Sequence, residues 1–213
     1  MEITSAEKSK KNKDRISVYI DGKFAFIISE EDYISLHLYE KTEISQETIE
    51  YIKNTINVRQ AKAKAVKFLA LRIRTEKEVR DKLHKEGYDQ DCIQKVIDEL
   101  LAMGYINDKL YAQKYIYDRS KLKPLSKKMM KLELISRGVS EETADEVLAD
   151  WKVDDSVVAE RLLKNKFGKY DLSDEKILRK AYMFLAHRGF SGETIKAAIR
   201  DMNSEIEDGE LLS

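Results

Sequence analysis

The sequence predicts a mainly α-helical protein: a tandem array of three three-helix, helix-turn-helix-like repeats, preceded by a small amino-terminal β-hairpin plus helices. Three observations carry this prediction. The segments Leu83-His84-Lys85-Glu86-Gly87-Tyr88-Asp89, Leu134-Ile135-Ser136-Arg137-Gly138-Val139-Ser140 and Leu185-Ala186-His187-Arg188-Gly189-Phe190-Ser191 follow one pattern, with glycines 51 residues apart (138 − 87 = 189 − 138 = 51). Glycine adopts the left-handed conformation that stops a helix without a Cβ penalty. Two positions on, Asp89, Ser140 and Ser191 are good N-caps for a following helix. Second, an apolar stripe at helical spacing lies behind each cap: Ile93, Val96, Ile97 and Leu100; Ala144, Val147, Leu148 and Trp151; Ile195, Ala198, Ile199 and Met202. Third, Ala65, Ala112 and Ala159 recur 47 residues apart (112 − 65 = 159 − 112 = 47), each followed by a base (Lys67, Lys114, Arg161) and a bulky apolar pair. These alanines fall on a helix that precedes the glycine-ended one, so each unit has three helices. The two markers drift by about one helical turn per unit, so linker or helix lengths differ between units.

Taken in order, residues 1–14 are polar and lysine-rich without periodicity and are expected to be disordered. Residues 15–57 hold the hairpin and its helices. Ile16, Val18 and Ile20 alternate with polar neighbours, Phe24, Phe26 and Ile28 follow, and Asp21-Gly22 between the runs is a strong two-residue turn signal. An isolated hairpin is marginal in water, so its apolar face must pack on the helices behind it. Ser29 opens a short helix, and Ser45 caps the next, with Ile44 and Ile49 as a hydrophobic staple and Ile49, Ile52 and Ile56 as its stripe. The first repeat, 58–105, opens with a helix over 58–73, with Val66, Leu69 and Ile73 facing the core. Thr75 and Glu78 form a capping box for its second helix, and Gly104 ends its third. The second repeat, 106–153, starts near Asn107 with a helix to about Arg119. Its loop contains the only proline, Pro124, and Ser126 caps the helix carrying Met130 and Leu134. The third, 154–203, starts near Asp154, crosses a glycine-containing loop, and resumes a helix at Ser173. Residues 204–213 form an acidic tail expected to be disordered.

Charged residues make up 37% of the chain, above the usual ~25%, as suits thin helical layers with much surface. The formal net charge is zero, which argues against a uniformly basic nucleic-acid binder. A single cysteine, Cys92, leaves no internal disulfide and no cysteine-rich metal site. The lysine-rich amino terminus has no apolar core of a signal peptide, and no apolar run approaches the ~18 residues of a membrane span. A monomeric, cytoplasmic protein is expected. His37, His84 and His187 are isolated from one another in sequence. There is no glycine-rich phosphate loop, HExxH, CxxC or serine elbow, so neither catalysis nor a cofactor or metal is expected.

The chemistry that remains is the placement of bases. Arg59, Lys62, Lys64, Lys67, Arg72 and Arg74 occur without an intervening acid; Arg119, Lys121, Lys123, Lys127, Lys128 and Lys131 repeat this in the second unit. Arg161, Lys164, Lys166 and Lys169 repeat it more weakly in the third. With Lys114, these bases predict a basic strip along the first helix and following loop of each unit, with Lys64, Lys67 and Arg74 on one exposed face. Such a strip suits an extended anionic partner, either a nucleic-acid backbone or an acidic protein groove.

Leu71-Arg72-Ile73-Arg74-Thr75-Glu76-Lys77-Glu78 resembles a basic segment with Ser/Thr-x-x-Glu found in the RecX family of recombination regulators. The likeness continues through Met103-Gly104-Tyr105-Ile106-Asn107-Asp108, Arg137-Gly138-Val139 and Phe184-Leu185-Ala186-His187-Arg188-Gly189-Phe190. The hairpin with Asp21-Gly22 is similar to an extension of relatives from Gram-positive bacteria. The resemblance implies a non-enzymatic modulator of a RecA-type recombinase: a curved repeat array lying in the groove of the recombinase–single-stranded-DNA filament and damping its activities. Direct binding of single- or double-stranded DNA by the helix-turn-helix-like units is the alternative.

Overall fold

The computed structural model describes residues 1–9 and 12–210, with side chains described through residue 204. The chain divides into two compact units, Met1–Asp108 and Lys109–Ser213.

In the first unit, β1 (Ile3–Lys8), β2 (Arg15–Ile20) and β3 (Lys23–Ser29) form an antiparallel sheet in that order. Asp21 (φ 48°) and Gly22 (φ 76°) make the expected turn. Ile16, Val18, Ile20, Phe26 and Ile28 bury one sheet face against Leu38, Ile44, Ile49, Ile52 and Ile56. The expectation of disorder over residues 1–14 is corrected by β1. Ile3 and Ala6 are its only apolar residues, so it has no period-two signal. Instead it satisfies the free edge of β2, pairing from Ile3 opposite Ile20 to Lys8 opposite Ile16 with one register shift between Ile3 and Ser5.

Ser29 caps α1 (Glu30–Ser35), a 3₁₀ turn spans Leu38–Glu40, and Ser45 caps α2 (Gln46–Tyr51). No break separates hairpin module from first repeat. The chain passes from α2 through a π-helical turn, Ile52–Ile56, into α3 (Asn57–Leu69). The helix ends at Leu69 rather than Ile73. Its fully buried line is Val58, Ala61 and Ala65, with Val66 and Leu69 at the margin of the core. The capping box of Thr75 and Glu78 starts α4 (Glu76–Lys85), and Asp89 caps α5 (Gln90–Ala102).

Helix α6 (Asp108–Leu122) begins at the last residue of the first unit and runs three residues past the expected Arg119. Ser126 caps α7 (Lys127–Ser136), Ser140 caps α8 (Glu141–Asp150), and Asp154 caps α9 (Asp155–Phe167). Asp174, not Ser173, caps α10 (Glu175–Ala186); the Ser173 hydroxyl donates instead to the Asp171 carboxylate. Ser191 accepts the Thr194 N–H at the start of α11 (Gly192–Glu210). The backbone of residues 204–210 is thus helical where disorder was expected. The last three residues, and the side chains of Glu205, Glu207 and Asp208, lie outside the described residues.

The repeat pattern has one geometry. Gly87, Gly138 and Gly189 have φ of 91°, 96° and 85°. In each turn the next residue, Tyr88, Val139 or Phe190, donates its N–H to the carbonyl of Leu83, Leu134 or Leu185 at 3.1–3.4 Å, closing the helix end. Those leucines are each 0% exposed, as are Ala65, Ala112 and Ala159. The leucines and alanines anchor the core of their units; the glycine only has to reverse the chain.

Candidate partner-binding surface

The sequence-predicted bases divide by what holds them. In the first unit, Lys64 lies 2.8 Å from Glu86, and Arg72 donates to Glu78 at 3.3 Å. Arg74 is not on an exposed helix face with Lys64 and Lys67. Because α3 stops at Leu69, Arg74 folds back with only 14% of its side chain exposed, its guanidinium 4.0 Å above the Phe68 ring and 3.7 Å from Glu78. Lys67 stays exposed and carries no ion pair among the described residues.

In the second unit, Lys131 bridges Glu141 (2.8 Å) and Asp145 (2.7 Å), and Lys121 lies 4.0 Å above the Tyr117 ring. The half-buried Lys127 gives its backbone N–H to the Asp155 carboxylate. Arg119 donates Nε to Glu133 at 2.9 Å, and the Tyr115 hydroxyl donates to the same carboxylate oxygen. Burial pushes the Glu133 carboxyl up, but these two donors outweigh it and hold it below its ordinary value. Lys114, Lys123, Lys128 and Arg161 are exposed without an ion pair among the described residues; Lys164 is exposed on α9. Lys67, Lys114, Lys123, Lys128, Arg161 and Lys169 are thus exposed with no ion pair among the described residues and keep their charge available to a partner, whereas the charged groups of Lys64, Arg72, Arg74, Arg119, Lys121 and Lys131 have intramolecular partners, as do Arg59 (Asp32), Lys62 (Glu99) and Lys166 (the Phe184 ring).

Two polar features escape sequence reasoning. Arg15 is fully buried, yet among the described residues no carboxylate pairs with it. It donates to the Asn57 carboxamide at 3.0 Å and the Ile27 carbonyl at 3.4 Å, and lies 3.8 Å above the Tyr88 ring. Burial lowers its pKa, and burial pushes the Tyr88 hydroxyl up to about 12. Arg15 shares the sheet face of Ser17 and Ile27, opposite the apolar one, a phase that by itself points to exposure. The second feature is Glu86. Burial raises its pKa, but hydrogen bonds from Lys64 and Lys82 prevail and bring it from 4.5 to about 2.

Burial pushes the Cys92 thiol up to about 12, which makes it an inert core group. His37, His84 and His187 are exposed. Among the described residues no group of three or more His, Cys, Asp or Glu side chains is placed to hold a metal ion, and no helix is long and apolar enough to cross a membrane.

Fold and surface together define a helical-repeat protein with an amino-terminal β-sheet, whose repeats share one turn geometry and differ in their surface charge. Family models match four successive segments: the regulatory protein RecX N-terminal domain over residues 1–45, and the first, second and third three-helix domains of RecX over 61–100, 107–148 and 154–199. The chain belongs to the RecX family of regulatory proteins. It is 31% identical over 211 residues to the regulatory protein RecX of Clostridium botulinum, covering 97% of this chain and 99% of that one. With the Listeria monocytogenes protein of the same name it shares 31% identity, over 97% of this chain and 78% of the relative. A crystal structure of regulatory protein RecX superposes with a TM-score of 0.64 at 23% identity, over 94% of this chain and all of that one, a likeness of fold. The structure of RecX from Lactobacillus salivarius gives 0.58 at 26% identity over 69% of this chain.

Proposed function

We propose that this chain is a cytoplasmic, monomeric, non-enzymatic regulator that binds the filament of a RecA-type recombinase and inhibits its strand-exchange, ATPase and coprotease activities in DNA repair and recombination. The units that engage the filament are the three repeats bounded at 58–105, 106–153 and 154–203. The observation that carries the reading is membership of the RecX family over the whole run of its domains. The exposed bases Lys67, Lys114, Lys123, Lys128 and Arg161 supply salt-sensitive attraction to a polyanionic filament.

The test is recombinase ATPase activity on single-stranded DNA with increasing amounts of this protein across a salt series. Inhibition is expected at concentrations that leave bare oligonucleotides unshifted. Reversal of two exposed bases, Lys67→Glu with Lys128→Glu, should weaken inhibition and flatten its salt dependence. Such surface changes alter folding by only about 0.5 kcal/mol or less, so a melting curve separates the two effects. Arg74 is unsuited to this test because its reversal would disturb the packing on Phe68. Undiminished inhibition with an unchanged salt slope removes these bases from the contact. Oligonucleotide shifts at physiological salt without any effect on the recombinase would make the chain a direct DNA binder instead.

A further inference from the structure

A cleft of about 260 Å³ opens in the second unit where the α6–α7 loop meets the segment between α8 and α9. It is lined by the buried Leu125 and Met130, by Tyr117 and Trp151, and by the exposed Lys121 and Arg161. Among the described residues no carboxylate lines it. We propose that this cleft is an anchor for an acidic peptide segment of the partner, receiving one bulky apolar side chain between Tyr117 and Trp151 while flanking carboxylates meet Lys121 and Arg161. The inference takes the partner from the reading above and adds which chemistry of that partner is gripped.

Size, charge and polarity each narrow the occupant. The volume is below the ~300–1,000 Å³ of pockets that enclose a whole small ligand, and it suits a single side chain. Two cations with no acid among the lining residues favour an anionic occupant. The buried apolar lining favours a side chain over a nucleobase. A base has ring nitrogens and exocyclic groups that need partners, and the buried Leu125 and Met130 offer none; Tyr117, Trp151, Lys121 and Arg161 could stack on or pair with a nucleotide, so oligothymidylate is the decisive comparison. The Ser120 hydroxyl, which also lines the cleft, is already engaged with the Tyr117 carbonyl at 2.8 Å. A buried aromatic or aliphatic anchor ringed by charge is the arrangement that concentrates binding energy at protein interfaces.

Trp151 is the only tryptophan of the chain, so its emission reports on the cleft directly. The experiment titrates the full-length protein, to millimolar concentration, with a hexapeptide carrying one phenylalanine among aspartates and glutamates. The same peptide with alanine for phenylalanine, a lysine-flanked phenylalanine peptide, and oligothymidylate are the comparisons. The acidic phenylalanine peptide is expected to give a saturable change in Trp151 emission that weakens with salt. The response should weaken at least tenfold for the alanine peptide, for Arg161→Glu and for Val153→Asp, whose wild-type residues are both exposed. Melting curves confirm that the variants fold. No saturable response, equal responses to phenylalanine and alanine peptides, or tight oligothymidylate binding that displaces the peptide would overturn the proposal. ATPase inhibition measured on the same samples separates the two ideas. Inhibition without peptide binding sinks the cleft alone; peptide binding without inhibition sinks the recombinase reading alone.

Discussion

The first repeat and the two later ones use the same position in opposite ways. The residue before the turn glycine is Glu86 in the first, Arg137 in the second and Arg188 in the third. Glu86 gathers cations, with Lys64 at 2.8 Å and Lys82 at 2.7 Å, and the Asn12 carboxamide donates to it at 2.7 Å. Arg137 instead sits 4.9 Å above the Tyr115 ring and donates to the Tyr111 hydroxyl at 3.4 Å. Arg188 stacks 3.7 Å above Phe184 and donates to that residue's carbonyl at 3.0 Å. The backbone turn is the same in all three. The repeat fixes where this side chain emerges, and the side chains around it decide its charge: Lys64 on α3 and Lys82 four residues back on α4 select an acid, and Tyr115 on α6 and Phe184 four residues back on α10 select an arginine.

The largest test of the shared scaffold is Leu83→Ala, Leu134→Ala and Leu185→Ala, each measured by denaturant unfolding. All three side chains are completely buried, so each should cost roughly 2–5 kcal/mol. A cost under about 1 kcal/mol at one of them would show that its repeat is not built on the common plan.

Next comes the position that differs. Glu86→Arg, which imports the charge of the later repeats, sets a third cation beside Lys64 and Lys82 and should destabilise by about 1.5–3 kcal/mol. Glu86→Gln isolates the ionisation. The folded pKa, about 2, lies below the ordinary 4.5, so the contribution of this carboxylate is complete above 4.5 and is lost as pH falls through 2. The gap in melting temperature between the native chain and Glu86→Gln should narrow over that window. A gap that stays constant from pH 5 to below pH 2 would assign the effect to something other than the charge.

A smaller contrast separates the turns themselves. A Cβ at Gly87 would meet only the flexible end of Ile27, at 3.0 Å, so Gly87→Ala should cost the ~1–2 kcal/mol of left-handed strain. At Gly189 it would lie 2.7 Å from the Ser126 hydroxyl and 2.8 Å from the Met129 Cβ. Gly189→Ala should therefore be the costlier, and equal melting temperatures would contradict this packing. The smallest expected effect is Lys67→Glu on stability, at about 0.5 kcal/mol or less.

What the sequence reveals follows the same division. Leucine, glycine and cap were legible because each has one physical job that few residues perform, and the job recurs. The partnering of the bases was not. A run such as Arg72 to Arg74 reads as uniformly exposed until one knows that α3 ends at Leu69 and returns Arg74 to Phe68. The strand β1 was invisible because its stability comes from backbone pairing with β2, which leaves no side-chain period. Arg15 was hidden because a charged residue at a strand start is ordinarily solvated. Its burial depends on Asn57 and Tyr88, residues far off in the chain. The cleft around Trp151 is assembled from two connecting segments and parts of α6, α7 and α9, and has no linear signature.

The π-helical turn at Ile52–Ile56 acts as a phase converter. Ile49, Ile52 and Ile56 on one side of the rod serve the core beneath the sheet, and Val58, Ala61 and Ala65 serve the core of the first repeat. The wider turn inserts about one extra residue, which rotates one stripe against the other by roughly 100°. Deleting a single residue there would restore regular winding and turn one of the two stripes away from its core. The amino-terminal sheet and the first repeat are thus a fused module. Chimaeras that exchange segments with relatives should tolerate junctions outside residues 46–69 and fail at junctions that change the helix length within them.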